Sequence, residues 1–450
     1  MLDIYMGDEV ARDISGHSSG LHARRRERDD QLEMSLKIAV EAFAAQWLPL
    51  VPQHREDHIH QDEQSIRSSW RAARREMLKV INHASYRSIL ALYLFSQTPV
   101  PIGVSDEEEL DGVNGLVCIQ TALLQIQRLR ERQNGGQFHG SGTLAWTDSL
   151  LRSSPSDDPK TTFLNLESRA YWAAVIWDTS ISLTSNLRAC LTSGLKGACS
   201  EPVWRLTRSF LTGSFHPKTE SWRTEGFEVS DDTASRIISA AAVCKLYVWK
   251  NITSLKEALR EGVDEESVLF TWRALLDAIE IFHTSVRPLL TSCERRLNFL
   301  NQGCRLVWYQ VLLQYYLGIL VMADAIEANN RTSMLDEVRE TVQDAENEAF
   351  NVIKAGTEDV YTIHLSDKTA NDESITTSLV AMDPNPHFVI DLAILLNHII
   401  IAKYRYGKIK LEIYSHLFSI LSKALDQLPR YSKSVHAARE TLAISFEATK

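Results

Sequence analysis

The chain has 450 residues, 44% hydrophobic and 24% charged, the balance of an ordinary globular protein long enough to bury a large core. Only 19 glycines and 12 prolines punctuate it, which excludes a collagen-like or mostly disordered chain and favours helices. A formal net charge of -10 excludes a surface built as a whole to coat a phosphate backbone, because that needs a basic face and counterion release.

Taken in chain order, residues 1–31 read as a flexible tail. Its start, Met1-Leu2-Asp3-Ile4, lacks the basic stretch followed by an apolar run of a secretory signal. Gly16-His17-Ser18-Ser19-Gly20 spells GxSxG, but a nucleophile elbow needs a strand before the serine and a helix after it, and this copy sits in polar sequence. Leu32, Leu36, Ala39, Val40, Phe43, Ala44 and Trp47 form one helical stripe, which Pro49 and Pro52 stop. His54, His58 and His60, beside Glu56 and Asp57, have a spacing that suits zinc or nickel; with no apolar shell to orient them they read as a solvated linker. The span Ile66 to Phe95 is predicted as one helix with its basic face outward. That face, Arg71, Arg74, Arg75 and Lys79, and the run Arg24, Arg25, Arg26 and Arg28, read as solvated surface, not as nucleic-acid contacts. Ser105 with Glu108 fits a capping box opening a helix that carries Val113, Val117, Leu124 and Leu129. A long polar loop is expected over 134–162, then a helix from Leu166 to Leu195, then an irregular stretch from Gly213 to Ser230.

Ser230 should cap the next helix, with Asp231 and Asp232 at its positive end. Further helices are predicted near 232–260, 265–287, 300–328, 334–354, 387–405, 409–427 and 434–448, with Pro386 at a first helical position. Tyr361 to Leu365, inside a polar stretch over 355–385, is the one weak strand candidate. The apolar stretches Gln314 to Ile326 and His387 to Tyr404 carry Asp324, and Asp391, His398 and Lys403, so buried core helices are expected in place of membrane spans. The compartment expected is cytosol or nucleus.

Signatures of chemistry are thin. The six cysteines, Cys118, Cys190, Cys199, Cys244, Cys293 and Cys304, make no CxxC pair and are expected as reduced thiols. HExxH, P-loop and GxGxxG motifs are absent from the sequence. Asp157-Asp158 is followed by Pro159, and Asp231-Asp232 lacks a carboxylate one turn on, so neither pair forms the magnesium-sharing face of a helical prenyl-diphosphate enzyme. Ten tryptophans, among them Trp172, Trp177, Trp204, Trp249 and Trp308, read mainly as core and secondarily as walls of an apolar effector pocket.

The stretch Glu167-Ser-Arg-Ala-Tyr-Trp-Ala-Ala-Val-Ile-Trp-Asp178 resembles the central motif of the fungal-specific transcription factor domain, the middle homology region of zinc binuclear cluster regulators. The correspondence rests on Arg169, the aromatic pair Tyr171 and Trp172, and Asp178, with diffuse similarity over residues 32–410. Thr179 stands where that family has Arg, Leu187-Arg188-Ala189-Cys190 where it has a Gly-Arg-Pro turn, and the six closely spaced zinc-binding cysteines are missing. The resemblance implies a nuclear regulatory domain that restrains or exposes activation, self-associates or binds protein partners, and senses a small-molecule effector. DNA would be reached only indirectly, there is no cofactor within the chain, and zinc would enter only with a separate N-terminal cluster module. The resulting expectation is an all-α, non-enzymatic protein, a multi-helix bundle or irregular helical array with long polar loops. Residues 32–410 would form the regulatory domain and 411–450 C-terminal helices packing on it. The alternative is a helical scaffold without a transcriptional role.

Overall fold

The computed structural model describes residues 2–3, 19–51, 59–132, 159–185, 187–191, 201–224, 226–365 and 373–449. It is an all-α array, and the one sheet among the described residues is a two-stranded hairpin. Two compact units emerge, residues 1–178 with 431–433, and residues 179–430 with 434–450.

In the first unit, α1 (Ser19–Ala44) begins well before Leu32, so helix occupies part of the stretch expected as a tail. Arg24, Arg25, Arg26 and Arg28 lie exposed on it. GxSxG lies almost wholly outside the described residues, as do His54 and His58 of the histidine cluster, the 134–162 loop up to Asp158 and the Asp157-Asp158 pair. The single helix expected over Ile66 to Phe95 is two, α2 (Ile59–Val80) and α3 (Tyr86–Gln97). The break is made by Ser85, whose Oγ accepts the Ser88 backbone N–H at 3.0 Å while Ser88 Oγ accepts that of Ser85 at 3.0 Å. This reciprocal cap satisfies donors that a continuous helix would have paired internally. Gln125 stitches the break to the next long helix, accepting from Ser88 Oγ at 2.9 Å and donating to the Ile81 carbonyl at 2.8 Å.

The helix opened by Ser105 is likewise split, into α4 (Asp106–Leu110) and α5 (Gly115–Arg132). Cys118, Ile119, Ala122, Leu123, Ile126 and Leu129 of α5 are buried, whereas Val117 and Leu124, expected on its core stripe, are exposed. Asn114 accepts the Val117 N–H at 3.0 Å and caps the start of α5. The helix α6 (Pro159–Thr184) ends earlier than the expected Leu195.

In the second unit, α7 (Pro202–Phe210) runs into a π-helical turn, Leu211–Phe215. The long α8 (Asp231–Glu261) starts at the Ser230 cap as expected, and α9 (Glu265–Ile281) follows. A second π turn, Phe282–Val286, then carries the chain into α10 (Arg287–Glu294), so the helix expected to stop near 287 continues. Each π turn ends two residues before a proline, Pro217 and Pro288. A proline ring lacks an N–H and crowds the carbonyl four residues back, and widening the preceding turn relieves both.

Next come α11 (Gln302–Ala328), α12 (Thr332–Glu337) and α13 (Arg339–Glu358). The polar stretch after α13 holds the hairpin, β1 (Val360–Leu365) paired antiparallel with β2 (Glu373–Ser378), Ile363 opposite Ile375. Gln302 at the head of α11 extends the ladder with its side chain, donating to the Thr362 carbonyl at 2.9 Å and accepting the Thr362 N–H at 3.0 Å. The chain ends with α14 (Leu379–Met382), α15 (Pro386–Arg405), α16 (Leu411–Gln427) and α17 (Lys433–Glu447). By length and composition both α11 and α15 could cross a membrane, α11 being longer than its apolar stretch suggested; in the fold, α11 packs on α8 and α13, and α15 on α16. At the α8–α11 contact Trp249 Nε1 donates to the Gln314 carbonyl at 2.9 Å, an approach that Gly318 permits by having no Cβ.

Candidate functional site

Arg169, Tyr171, Trp172 and Asp178 all fall on α6. Trp172 and Asp178 are buried, Tyr171 is half-buried and Arg169 is exposed. Arg130 of α5 lies with its guanidinium carbon 3.7 Å from the centre of the Tyr171 ring, and its Nε is 3.0 Å from Glu167 Oε1. Burial pushes the Glu167 carboxyl up, and the Arg130 charge opposes that shift. Trp177, one residue before Asp178, stacks on Tyr93 of α3 at 3.8 Å and 12°. Burial raises the Tyr93 hydroxyl to about 12, so it stays protonated. The motif thus docks α6 on α3 and α5, with Arg130 serving as cation over an aromatic face and as ion-pair partner at once. Arg130 was not singled out from the sequence, and Glu167 entered only as the first residue of the quoted stretch. Their separation in the chain hides a contact that only the packing of α5 on α6 makes.

Three other polar sites lie in the second unit. Where the two π turns meet, His216 Nδ1 lies 2.8 Å from Ser285 Oγ. Arg223 fastens the same point, donating to the carbonyls of His216 at 3.0 Å and Ser285 at 2.8 Å. A serine beside an imidazole is the opening of a hydrolytic triad, but Ser285 is buried and its own carbonyl is engaged by Arg223. This geometry joins two widened turns and offers no open nucleophile. Deeper in the unit, Lys245 of α8 donates to Gln314 Oε1 at 2.7 Å and lies 4.2 Å over the Trp249 ring, and burial lowers its amine to about 7. Asp383, at 1% exposure, accepts from Asn385 N at 3.0 Å and Gln310 Nε2 at 3.2 Å, and burial raises its carboxyl to about 7.

The charged face of α2 is the candidate interaction site. Expected as a solvated stripe, it is partly covered. Arg71 grips Glu108 of α4 through both carboxylate oxygens, at 2.6 and 2.7 Å. Arg74 donates to the Val113 carbonyl at 2.9 Å, and Arg67 to the Ile102 carbonyl at 3.2 Å and to Glu63. The capping box read from Ser105 and Glu108 is half made: Ser105 Oγ accepts the Glu108 N–H at 3.1 Å, while the Glu108 carboxylate goes to Arg71. That hydrogen bond holds the Glu108 carboxyl below the usual carboxylate range, so it stays charged at neutral pH. Lys433 reaches Asp106 and, at 2.9 Å, Glu109. Along α2 itself Glu63, Gln64, Arg67, Ser68, Arg71 and Arg75 line an open groove of about 570 Å³.

Among the described residues no group of three or more His, Cys, Asp or Glu side chains could hold a metal ion. Compared with known proteins, the chain matches no family model, no curated protein and no solved structure.

Proposed function

We propose that the chain is the helical regulatory body of a fungal transcription regulator, acting in the nucleus through protein contacts, without a reading head for DNA in this sequence. The observation that carries this reading is the motif from Arg169 to Asp178, laid on one helix and packed by Arg130, Glu167 and Tyr93. An array of packed helices can hold two arrangements a few kcal/mol apart, which a partner or effector then biases. The test is a fusion of the full chain to a foreign DNA-binding module driving a reporter. Activation or repression is expected, weakened when Arg130→Ala loosens the motif helix. A fusion that is folded, nuclear and silent under every condition tried ends the reading.

A second reading is a helical scaffold with no transcriptional role. It is favoured by the charged face of α2, a protein-interaction feature with no transcriptional content of its own. Such a chain would leave the reporter silent yet still capture partners through that face.

A further inference from the structure

The ten residues from Gly103 to Gly112 are held in an unusual way. Both terminal glycines have φ of 84°, in the left-handed region that other residues avoid, so the chain turns sharply at each end. A Cβ at Gly103 would stand 2.6 Å from the Arg67 guanidinium. Between these turns α4 buries none of its residues, and Leu110 is 75% exposed. The flanks are anchored independently, by buried Val104 and Val113 and by the bonds from Arg67 and Arg74 to the chain just outside the turns. The middle is fastened by charge, through Arg71 to Glu108 and Lys433 to Asp106 and Glu109. The part of it from Ser105 to Gly112, with fixed ends and no buried side chain, can lift without unfolding anything else.

What it would uncover is Arg71, the middle of a row whose other members are held outside the strap or already exposed, Arg67 by Glu63 and the Ile102 carbonyl and Arg75 in solvent. Arg67, Arg71 and Arg75 recur every fourth residue, so they stand in one row on α2, about 12 Å from first to last. Arg71 already displays fork-to-fork geometry for a carboxylate, and Arg75 stands exposed one turn further on. We propose that this arginine row is a docking site for a carboxylate-rich segment of a partner protein, and that the 106–111 strap blocks its centre in cis, through Glu108 on Arg71, as a built-in competitor. A duplex phosphate backbone, with one charge per about 1.7 Å, is repelled by the tethered strap and by the chain's net charge of -10 far more than a short acidic peptide is. The proposal goes beyond the transcriptional reading and stands or falls apart from it, since it is tested by binding and not by a reporter.

The probe is a labelled synthetic peptide with the sequence of residues 104–113, added to the full chain and followed by fluorescence polarisation. The apparent affinity of a masked site is reduced by the fraction of time it is open, and exposed ion pairs are weak latches, so neutralising the strap should tighten binding about tenfold. The variant combines Asp106→Asn, Glu107→Gln, Glu108→Gln and Glu109→Gln. Adding Arg71→Gln and Arg75→Gln should remove the gain, and salt raised from about 0.05 to about 0.3 M should erase it. Equal affinity of the native and neutralised chains overturns the proposal, as does tighter binding of a short DNA duplex than of the peptide by the neutralised chain. Hydrogen exchange on the native chain supplies a second readout. The Glu109 and Asp111 amides, bonded to the Ser105 and Glu107 carbonyls, should exchange faster than those of α3, and faster still in salt. Protection equal to that of α3 means that the strap never lifts, and also overturns the proposal.

Discussion

Two buried titratable side chains give the second unit opposite responses to pH. Asp383 is raised by burial from an ordinary 3.8 to about 7, so between these values the folded chain holds a proton that the unfolded chain has lost. Its contribution to stability therefore falls as pH rises from about 4 to about 7 and stays low above. Lys245 is lowered by burial from 10.5 to about 7, so between about 7 and 10.5 the unfolded chain holds the extra proton and stability rises with pH. Together they place a minimum of this contribution near pH 7. We expect Asp383→Asn to gain on the order of 1–3 kcal/mol at pH 8 and nothing at pH 4. Lys245→Met should show an advantage at pH 6 that shrinks toward pH 10. Urea unfolding of both variants and the native chain across that range checks this, and parallel pH profiles for variant and native chain would refute it.

At the scale of elements, the α8–α11 contact depends on one missing side chain. A Cβ at Gly318 would lie 2.5 Å from Trp249 Nε1, closer than any real contact. Gly318→Ala should push the indole off the Gln314 carbonyl and cost about 1–3 kcal/mol, visible as a lower unfolding midpoint and a shifted tryptophan emission. An unchanged midpoint would show that the helices slide apart without loss.

Much of the element order was legible in the sequence, because a 3.6-residue period is a strong signal when the buried stripe is apolar, as in α11. Ser230 and Pro386 mark helix starts that the structure keeps. The misses share a cause. The break between α2 and α3 rests on a Ser–Ser reciprocal cap, a weaker signal than the usual acidic or amide partner. In α5 apolar residues occur on both faces, so Leu123 and Leu124 competed for the core, and the packing of α5 on α3 decided between them. The π turns were invisible, since Pro288 reads as a stop when a widened turn can carry the helix past it. Of the candidate site, Arg71, Arg74 and Arg75 were seen, but as solvent-facing, and Arg67 was missed. Their partners Glu108, Ile102 and Val113 lie more than thirty residues away in the chain, beyond any local pattern.

For the molecule as a whole, the most consequential feature is the membership of residues 431–433 in the first unit. Ile102 N donates to the Tyr431 carbonyl at 2.8 Å, Lys433 N donates to the Val100 carbonyl at 2.8 Å, and Pro101 bridges Ser432. A ribosome making about 5–20 residues per second would finish α1 to α6 long before it supplied the strip that seals them. The helices of the first unit must therefore wait for a strip made much later, with their edge at Val100–Ile102 open to chaperones or to wrong pairing meanwhile. Chains truncated after Arg430 should show fast exchange at the Ile102 amide and a more protease-sensitive amino-terminal half. Full protection there in the shortened protein would mean that closure needs no such wait.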